Sequence, residues 1–474
     1  MGYTQKVVIA GAGISGLACA YRLKQLGVPS LVLEAEGRPG GVIATVRRDG
    51  YLFETGPQCP RFPASVWQML REIGLEEEFV AGDPAVKRFI LRHGTLHPAP
   101  FSPGGILTTP LIGISAKLRF LTEPLRSTQP PAHEETLAEF ATRKFGADVV
   151  DNLADPVIST IFFGDAYKMG MDSAFPALVE WEKNHGSLVR GAIRARNSKR
   201  QAPSQSMKVT DSLPSLGSFR SGMGRLPERL AEELRGHIRY GVRVQGVAPN
   251  AKGNAESATR WQIGLSNGES ITAEQMVLSL PAYEAGRVLE SSMPALAREL
   301  EAIEYAPMGG VSCGYDRNQV KDTLDGFGLM VPRKEELKTI CTFWNSSLFP
   351  GRAPDGKVLM TSFVRSVGEA VDEGALARTV ETENASILGI AGEPVARHAW
   401  SYPRALPQYN VGHGKRVAAI GDLLPALRNL YLAGNYLKGR SIGECVELAF
   451  EVAERIHSQI AESNIEPVTT SSEE

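Results

Sequence analysis

Near its N-terminus the chain reads Lys6-Val-Val-Ile-Ala-Gly-Ala-Gly-Ile-Ser-Gly-Leu17. A short apolar run, typical of a buried strand, leads into three glycines with the spacing Gly-x-Gly-x-x-Gly. Gly11 allows a tight turn, Gly13 lets the backbone approach a pyrophosphate, and Gly16 lets the next helix pack closely on the strand. The stretch predicts a strand, turn and helix that bind a dinucleotide at the positive N-terminus of the helix.

A second apolar run, Ser30-Leu-Val-Leu-Glu34, ends in an acid. A carboxylate there accepts hydrogen bonds from ribose hydroxyls, which favours FAD or NAD over a nucleotide with a 2′-phosphate. We therefore expect Glu34 to bind the adenosine ribose. Ile14, Ser15 and Ala35, which flank these positions, are included among the predicted cofactor-binding residues.

The turn Arg38-Pro-Gly-Gly41 follows directly. Its pair Gly40-Gly41 resembles the second glycine signature of the flavin-dependent amine oxidase and protoporphyrinogen oxidase superfamily, and this favours FAD over NAD. In that superfamily the turn and a later segment, here Gly50 to Pro57, cross the isoalloxazine region, so the resemblance implies that Gly56 lies on the cofactor side. The alternative for the glycine pair is an ordinary surface turn.

Composition excludes several classes of function. The 474 residues exceed one typical domain, and 51 basic against 53 acidic side chains give a net charge of −2, which indicates no nucleic-acid partner. The five cysteines are scattered without metal-ligand spacing, so we expect neither a disulfide framework nor a metal site. Because we find no secretory signal or spanning stretch, we expect a cytoplasmic protein, with peripheral membrane contact left open.

The order of elements predicts an α/β protein with a Rossmann-like FAD-binding domain, a mixed-sheet substrate domain and an inserted helical domain. The resemblance to the superfamily implies the arrangement of p-hydroxybenzoate hydroxylase and amine oxidases. We assign residues 1–83, 217–281 and 411–464 to the FAD-binding domain. Residues 84–216 form the helical domain, with membrane-surface contact as an open alternative, and residues 282–410 form the substrate domain. We expect the polar tail 465–474 to be disordered.

The helical domain contains an amphipathic stretch from Thr108 to Thr122. Leu111, Ile114, Leu118 and Leu121 recur at helical spacing, with Lys117 beside them. We expect this apolar face to be buried in the protein core. Contact with a membrane surface is the alternative.

A third glycine motif lies near the C-terminus, in Asn429-Leu-Tyr-Leu-Ala-Gly-Asn-Tyr436. It predicts a strand followed by a helix from about Ser441, with Gly434, Asn435 and Ile442 beside the cofactor. The helix N-terminus would point positive charge at the flavin edge that becomes negative on reduction. An ordinary βα unit is the alternative.

Taken together, the chain resembles the FAD-containing, oxygen-dependent protoporphyrinogen oxidases over nearly its whole length. The motifs that carry the resemblance are the first glycine stretch and Gly434-Asn-Tyr436, together with Lys87-Arg-Phe89, Ser159-Thr-Ile-Phe-Phe-Gly-Asp165, Ser218-Phe-Arg-Ser-Gly-Met-Gly224, Phe343 to Arg352 and Ala405-Leu-Pro-Gln-Tyr-Asn-Val-Gly-His413. The resemblance implies that Val244 contacts adenine through its backbone. It also implies that Arg88 anchors a propionate and that Gly164 lies at the substrate mouth, while Met330, Leu348 and Phe363 surround the ring.

The reaction that the resemblance implies is oxidation of protoporphyrinogen IX to protoporphyrin IX with O2. Three cycles of hydride transfer from a meso carbon to flavin N5 remove six electrons and yield three H2O2. No side chain is assigned a proton-transfer role, although Glu54 and His413 are available, and we expect His413 to be structural. Cys445 lies in the final helix as a buried apolar residue, so we expect non-covalent FAD.

Several alternatives stay open. Coproporphyrinogen III, which carries two further propionates, is the nearest alternative substrate. A flavin amine oxidase or carotenoid desaturase is the second alternative, although amine oxidases usually have Gly-Gly-Arg where this chain has Gly40-Gly41-Val42. A non-catalytic flavin or porphyrin carrier is a more distant one. Transfer of the product to the next heme-pathway enzyme and a homodimer are also left open.

Overall fold

The computed structural model describes residues 4–201, 216–250, 261–365, 371–438 and 441–463. The tail predicted at 465–474 lies outside the described residues. The strands are β1 Thr4–Ala10, β2 Ser30–Leu33, β3 Thr45–Arg48, β4 Tyr51–Glu54, β5 Phe79–Ala81, β6 Arg88–Arg92, β7 Thr95–Pro98, β8 Gly217–Phe219, β9 Ile238–Arg239, β10 Val244–Pro249, β11 Trp261–Leu265, β12 Ser270–Leu278, β13 Tyr305–Asp316, β14 Gly328–Met330, β15 Thr339–Phe343, β16 Lys357–Val364, β17 Ala396–Pro407 and β18 Leu430–Leu432.

The α-helices are α1 Ile14–Gln25, α2 Ala64–Glu72, α3 Pro103–Thr108, α4 Ile114–Thr122, α5 Leu137–Phe145, α6 Ala147–Val149, α7 Asp155–Phe162, α8 Met171–Ala174, α9 Pro176–His185, α10 Leu188–Gln201, α11 Arg225–Glu233, α12 Ala282–Leu289, α13 Pro294–Glu301, α14 Asn345–Leu348, α15 Glu373–Leu388, α16 His413–Leu423 and α17 Ile442–Ser463. A π-helical turn, Val150–Ala154, joins α6 to α7. Short 3₁₀ turns at Glu76–Glu78, Glu123–Leu125, Arg317–Gln319, Arg333–Glu335 and Leu424–Ala426 complete the helical elements.

The first sheet has the order β10-β11-β12-β1-β2-β9, and β18 pairs with the end of β12. Strands β18, β12, β1, β2 and β9 run parallel, whereas β10 and β11 pair antiparallel. Side chains of β1 alternate between two cores: Val7 and Ile9 pack with α1, α2, α11 and α17, and Val8 and Ala10 pack with α12 and α13. Helices on both faces explain why β1 is a continuous apolar run, as in a doubly wound fold.

The second sheet is mixed, with the order β17-β13-β16-β15-β14-β6-β7. All its neighbours are antiparallel except β14 and β6. Helix α15 covers one face, where Ala377, Val380 and Leu388 pack on Val311 and Met360. The other face carries Phe363 and Trp400 and looks toward the helical region. This is the mixed-sheet unit that the sequence predicted.

Two assignments of residues to domains differ from those made from the sequence. The hairpin β6–β7 falls in the range predicted for the helical domain, 84–216, yet it extends the second sheet. Helices α12 and α13 fall in the range predicted for the substrate domain, 282–410, yet their apolar faces pack on the first sheet. We therefore propose that the substrate domain takes in the hairpin and starts after Ile303.

The prediction that the apolar face of the Thr108–Thr122 stretch is buried was wrong for α4. Leu111 is buried just before the helix, but Ile114 is 77 %, Leu118 55 % and Leu121 55 % exposed. The helix instead turns Ala116 inward, against Ile112 and Val149. Phe120 packs beside it and stacks on Phe145 with ring centroids 4.0 Å apart. The aliphatic side chains of Ile114, Leu118 and Leu121 face outward.

Candidate active site

The carboxyl ends of the parallel strands bring the predicted cofactor residues together. Because β1, β2, β12 and β18 run in the same direction, the residues after Ala10, Leu33, Leu278 and Leu432 lie at one edge of the first sheet. Gly11, Glu34 and Gly434 therefore lie along the same edge of the sheet. This edge is where open α/β sheets bind their ligands.

The glycines of the first turn have different surroundings. Gly11 has a φ of +98°, and its N–H donates to the Leu33 carbonyl at 2.8 Å. A Cβ on Gly16 would lie 2.0 Å from the Gly11 carbonyl oxygen, whereas a Cβ on Gly13 would meet no atom within 4 Å. Gly16 thus serves packing inside the protein, and Gly13 borders open space. No side chain caps the N-terminus of α1 and its first turn holds no acid, so this end can receive a phosphate.

Glu34 is buried at the end of β2, and backbone donors orient its carboxylate. Oε2 accepts from the Ala12 N–H at 2.7 Å, and Oε1 accepts from the Glu36 N–H at 2.8 Å. Each oxygen keeps a further acceptor site, because a carboxylate offers about four. The carboxylate is thus fixed beside the glycine turn with the capacity to accept ribose hydroxyls, while Ala35 next to it is half-buried.

The second glycine turn packs on the first. Gly40 forms an isolated parallel β-bridge with Gly13, and the Gly40 N–H donates to the Ala12 carbonyl at 2.8 Å. Gly40 and Gly41 have φ values of +104° and +58°, which side chains rarely adopt. A Cβ on Gly56 would lie 2.4 Å from the Val42 carbonyl oxygen, so the segment that follows β4 runs tightly against this turn.

The C-terminal motif is held by residues from the adjoining loop. The Tyr409 hydroxyl donates to the Asn435 carbonyl at 2.5 Å, and the His413 ring stacks on Tyr409 with centroids 4.4 Å apart. Burial lowers the pKa of His413, and a hydrogen bond that its ring donates to the Tyr436 backbone acts against that fall. His413 is therefore buried against Tyr409, and its structural role stays a prediction.

The N-terminus of α17 differs from that of α1. Ser441 caps it, because its hydroxyl accepts from the Glu444 N–H at 3.2 Å and the Glu444 side chain accepts from the Ser441 N–H at 3.0 Å. The carboxylate of Glu444 in the first turn offsets part of the helix charge. Ile442 is buried there, as is Cys445, whose burial confirms the prediction for that residue. Ser15 on α1 hydrogen-bonds Cys445 and so joins the two helices.

Val244 begins β10 beside an irregularity in the pairing with β11. It is buried, and its carbonyl accepts from Arg287 Nη2 at 3.3 Å. Its adenine contact stays a prediction.

The predicted substrate residues of the second sheet share one face. Ile90 on β6, Met330 on β14, Cys341 on β15 and Phe363 on β16 stand opposite one another across four strands. Arg88 lies two residues from Ile90, so it points to the same side. Met330 itself is buried against Ile90 and Leu111, where the sheet meets the helical region.

Aromatic rings connect Arg88 to the other end of this face. The Arg88 guanidinium lies 4.5 Å from the centroid of Phe327, which is 5.6 Å from Phe343. Phe343 is 5.8 Å from Phe363, and Phe363 meets Phe163 at 5.1 Å. Phe163 ends α7 with a φ of +51° and precedes Gly164. We call the rings of Phe327, Phe343, Phe363 and Phe163 the aromatic row.

Two hydrogen bonds join this face to the segment around Gly56. The Tyr402 hydroxyl donates to Thr55 Oγ1 at 3.2 Å, and Asn345 Nδ2 donates to Gln58 Oε1 at 2.7 Å. The aromatic row thus borders the segment predicted to cross the flavin. Leu348 lies half-buried at the end of α14, the helix that Asn345 begins.

Glu54 is a structural group in this arrangement. Its carboxylate accepts from Thr45 Oγ1 at 2.7 Å and from the Met223 N–H at 2.9 Å, and it lies 4.0 Å from Arg352. Burial raises the pKa of Glu54, and the charge of Arg352 acts against that rise. Glu54 thus joins the β3–β4 hairpin to the loop before α11 through Met223, and to the segment before β16 through Arg352.

Sequence reasoning missed Phe327, Phe343, Gln58 and Asn345. Phe343 does open one of the motifs that carried the resemblance, and that was the signal available. The contact between Gln58 and Asn345 joins two distant segments, which no local pattern reveals. Among the described residues no group of three His, Cys, Asp or Glu side chains could hold a metal, and none of the helices in these ranges is long and apolar enough to span a membrane.

Comparison with known proteins adds four findings. The family model for flavin containing amine oxidoreductase matches residues 14–457. The chloroplastic protoporphyrinogen oxidase of Nicotiana tabacum is 33 % identical over 95 % of this chain and 85 % of its own length. The coproporphyrinogen III oxidase of Bacillus subtilis is 27 % identical over 93 % of this chain and 95 % of its own. A crystal structure from Exiguobacterium sp. 255-15 superposes with a TM-score of 0.78 at 25 % identity, covering 97 % of this chain and all of that one.

Proposed function

The chain belongs to the family of flavin-containing amine oxidoreductases, and we propose that it oxidises protoporphyrinogen IX to protoporphyrin IX. The substrate loses six hydrogens, and three O2 accept them to give three H2O2. A bound FAD supplies the two-electron acceptor that links the two halves of the reaction. The similarity to protoporphyrinogen oxidases over most of the chain supports this reaction.

The observation that carries the proposal is the position of Arg88. Its guanidinium is half-buried at one end of the aromatic row, and no carboxylate among the described residues lies within 4.0 Å of it. A partly buried cation without a counter-ion suits an anionic ligand. An apolar ring with carboxylates at one edge would lie along the row and place a propionate on Arg88.

The other residues have supporting roles. Gly164 lies at the mouth of the slot, and its lack of a side chain lets Gln408 pack there, since a Cβ would lie 2.6 Å from Gln408 Oε1. Phe363 and Leu348 offer apolar contacts to the ring, and Met330 backs it from the sheet. Gly13, Ile14 and Ser15 face the pyrophosphate, in a turn that Gly11 and Gly16 shape by their close backbone packing. Glu34 and Ala35 bind the ribose, and Val244 binds the adenine. Gly40, Gly41, Gly56, Gly434, Asn435 and Ile442 surround the flavin, which is held without a covalent bond.

Coproporphyrinogen III is the second candidate substrate, because relatives with that name cover as much of the chain. Amine oxidation is less favoured, since the aromatic row ends in a cation that would repel a protonated amine. We also propose that the protein is cytoplasmic and that it passes its porphyrin product to the next heme-pathway enzyme. We propose further that it forms a homodimer, which light scattering would detect.

The experiment is an aerobic assay of porphyrin fluorescence and H2O2 with each porphyrinogen. We expect three H2O2 per protoporphyrin IX. Arg88→Gln should lower kcat/KM about tenfold to a hundredfold, because a hydrogen bond to a charged group contributes about 1.5–3 kcal/mol. Arg88→Lys keeps the positive charge but not the paired N–H donors of the guanidinium, so it should lower kcat/KM less than Arg88→Gln does. Equal kcat/KM in the wild type and Arg88→Gln would contradict the proposal that Arg88 binds the substrate.

The proposal also includes peripheral contact with a membrane through α4. Its exposed residues Ile114, Leu118 and Leu121 continue into Leu125, which is 85 % exposed, and Arg119 is exposed among them. An apolar stripe with cations suits an anionic lipid surface. We expect the double variant Leu118→Glu/Leu121→Glu not to co-sediment with anionic vesicles. The control variant Glu451→Gln on α17 should co-sediment with them as the wild type does. Wild-type protein that does not sediment with such vesicles contradicts this contact.

A further inference from the structure

An exposed phenylalanine lies beside Arg88. Phe101 follows β7, the strand at one edge of the second sheet, and its side chain is 65 % exposed. The guanidinium carbon of Arg88 lies 5.6 Å from the centroid of the Phe101 ring. No other phenylalanine in the described part of the chain is among the exposed large apolar side chains. The ring surface of Phe101 is therefore available to a ligand that binds at Arg88.

Backbone hydrogen bonds hold Phe101 in this position. The Ala99 N–H donates to the Arg88 carbonyl at 2.7 Å, and the Phe101 N–H donates to the Ala99 carbonyl at 3.1 Å. The next residue, Ser102, caps α3, because its hydroxyl accepts from the Gly105 N–H at 3.0 Å. The segment between β7 and α3 is thus tied to Arg88 itself on one side and to a helix on the other.

Phe101 extends the aromatic row beyond Arg88. The Arg88 guanidinium lies over two rings, since it is 4.5 Å from the centroid of Phe327, the half-buried first ring of the row, and 5.6 Å from that of Phe101. Aromatic faces attract a guanidinium group, whose N–H donors lie in its own plane. In the described ranges the only acceptor recorded for these donors is the Val86 carbonyl, 3.4 Å from Nη1. The two rings thus hold the cation while most of its donors stay free for a carboxylate.

We propose that Phe101 is a further substrate-binding residue, whose ring packs against the propionate-bearing edge of the porphyrinogen. This inference rests on the proposed function and deepens it. Only two methylene groups separate a propionate carboxylate from its pyrrole ring, so a carboxylate bound to Arg88 brings that pyrrole within reach of Phe101. The contact would remove apolar surface from water and would also shield the ion pair at Arg88 from water, and both effects strengthen binding.

The first test is Phe101→Ala, assayed without lipid. We expect KM for protoporphyrinogen IX to rise about threefold to tenfold with little change in kcat, because an aromatic contact and a cation–π contact are lost. The Kd of the product protoporphyrin IX, measured by fluorescence titration, should rise in parallel. Phe101→Tyr keeps the ring and should match the wild type. The control is Val395→Ala, which truncates a 51 % exposed residue just before β17, at the opposite edge of the sheet, and should leave KM unchanged.

A second measurement separates contact with the macrocycle from support of Arg88. The dimethyl ester of protoporphyrinogen IX has no carboxylate for Arg88 to bind. With this ester Arg88→Gln should have the KM of the wild type, whereas Phe101→Ala should still have a raised KM. Equal KM values for the ester in the wild type and Phe101→Ala would show that Phe101 acts only through Arg88, and would overturn the proposed contact.

The remaining outcomes concern a different role for the exposed ring. Unchanged KM and Kd in Phe101→Ala, in a wild type that does oxidise protoporphyrinogen IX, would overturn the inference alone. If that variant also loses co-sedimentation with anionic vesicles, Phe101 is a lipid contact instead. A wild type that oxidises neither porphyrinogen would overturn the proposed function.

Discussion

Single residues of the first glycine turn have separable roles. The Cβ position of Gly16 is filled by the Gly11 carbonyl, and that of Gly11 by the Ser279 carbonyl at 2.4 Å. Gly13 has an ordinary negative φ, −67°, and open space. The protein alone therefore requires glycine at positions 11 and 16, whereas position 13 is constrained by the ligand that approaches it.

This difference predicts a clear contrast between two alanine variants. Gly13→Ala should fold with an unchanged melting temperature of the FAD-free protein, because its methyl group meets no protein atom. It should nevertheless bind FAD far more weakly, since the methyl group occupies the space next to the pyrophosphate. Gly16→Ala should lower the melting temperature even without FAD. Flavin absorbance after dialysis and circular dichroism measure both effects, and tight FAD binding by Gly13→Ala contradicts this reading.

Among the elements, α5 and α9 are joined by a buried ion network. Glu182 accepts from Arg143 Nη1 and lies 2.7 Å from Lys144 Nζ, and Thr128 Oγ1 donates to it at 2.6 Å. Glu123 accepts from Ser187 Oγ at 2.7 Å and so joins α10 to the same group. Burial alone would raise the pKa of Glu182, but the hydrogen bonds from Arg143, Lys144 and Thr128 hold it at about 2.

The network predicts an acid dependence of stability. Because the pKa of Glu182 is lower in the folded chain, its stabilisation is present above the ordinary value near 4.5 and is lost as pH falls from there toward 2. Glu182→Gln should lower stability at pH 7 by about 1.5–3 kcal/mol, since it removes charged hydrogen bonds from Arg143 and Lys144. The loss is limited because Glu135 still pairs with Arg143 and Glu123 lies 3.8 Å from Lys144. The variant should also weaken the acid dependence in urea unfolding between pH 5 and pH 3.

The control is Glu451→Gln, which removes only an exposed partner of Lys438. It should change stability by less than about 1 kcal/mol. An unfolding midpoint of Glu182→Gln equal to that of the wild type at pH 7 would contradict the role of the network.

Helix α4 illustrates what an element's sequence can predict. Its 3.6-residue period predicted a helix, and the structure has one at Ile114–Thr122. The period gives the direction of the apolar face but not the surface that covers it, and Ile114, Leu118 and Leu121 face outward. That surface depends on where α5, α6 and Ile112 pack, and these contacts are not encoded within the helix.

At the scale of the molecule, the first sheet was predictable because each ligand-binding turn is local. The strand, glycine turn and helix at Gly11 and the strand that ends at Glu34 need only short-range signals. The second sheet was predictable as a mixed sheet, but its β6–β7 hairpin was not, since Arg88 pairs with Gly328 far along the chain. The aromatic row depends on the same long-range pairing. The propionate-binding role of Arg88 was predicted from the family resemblance, whereas the residues around Arg88 were identified only in the structure.

The central claim is that a porphyrinogen reduces the flavin of this protein. The most direct measurement is anaerobic stopped-flow absorbance of the FAD-loaded protein after mixing with protoporphyrinogen IX, coproporphyrinogen III or a primary amine. We predict fast loss of the flavin band with protoporphyrinogen IX, slower loss with coproporphyrinogen III and none with the amine. Bleaching by the amine and by neither porphyrinogen would contradict the account.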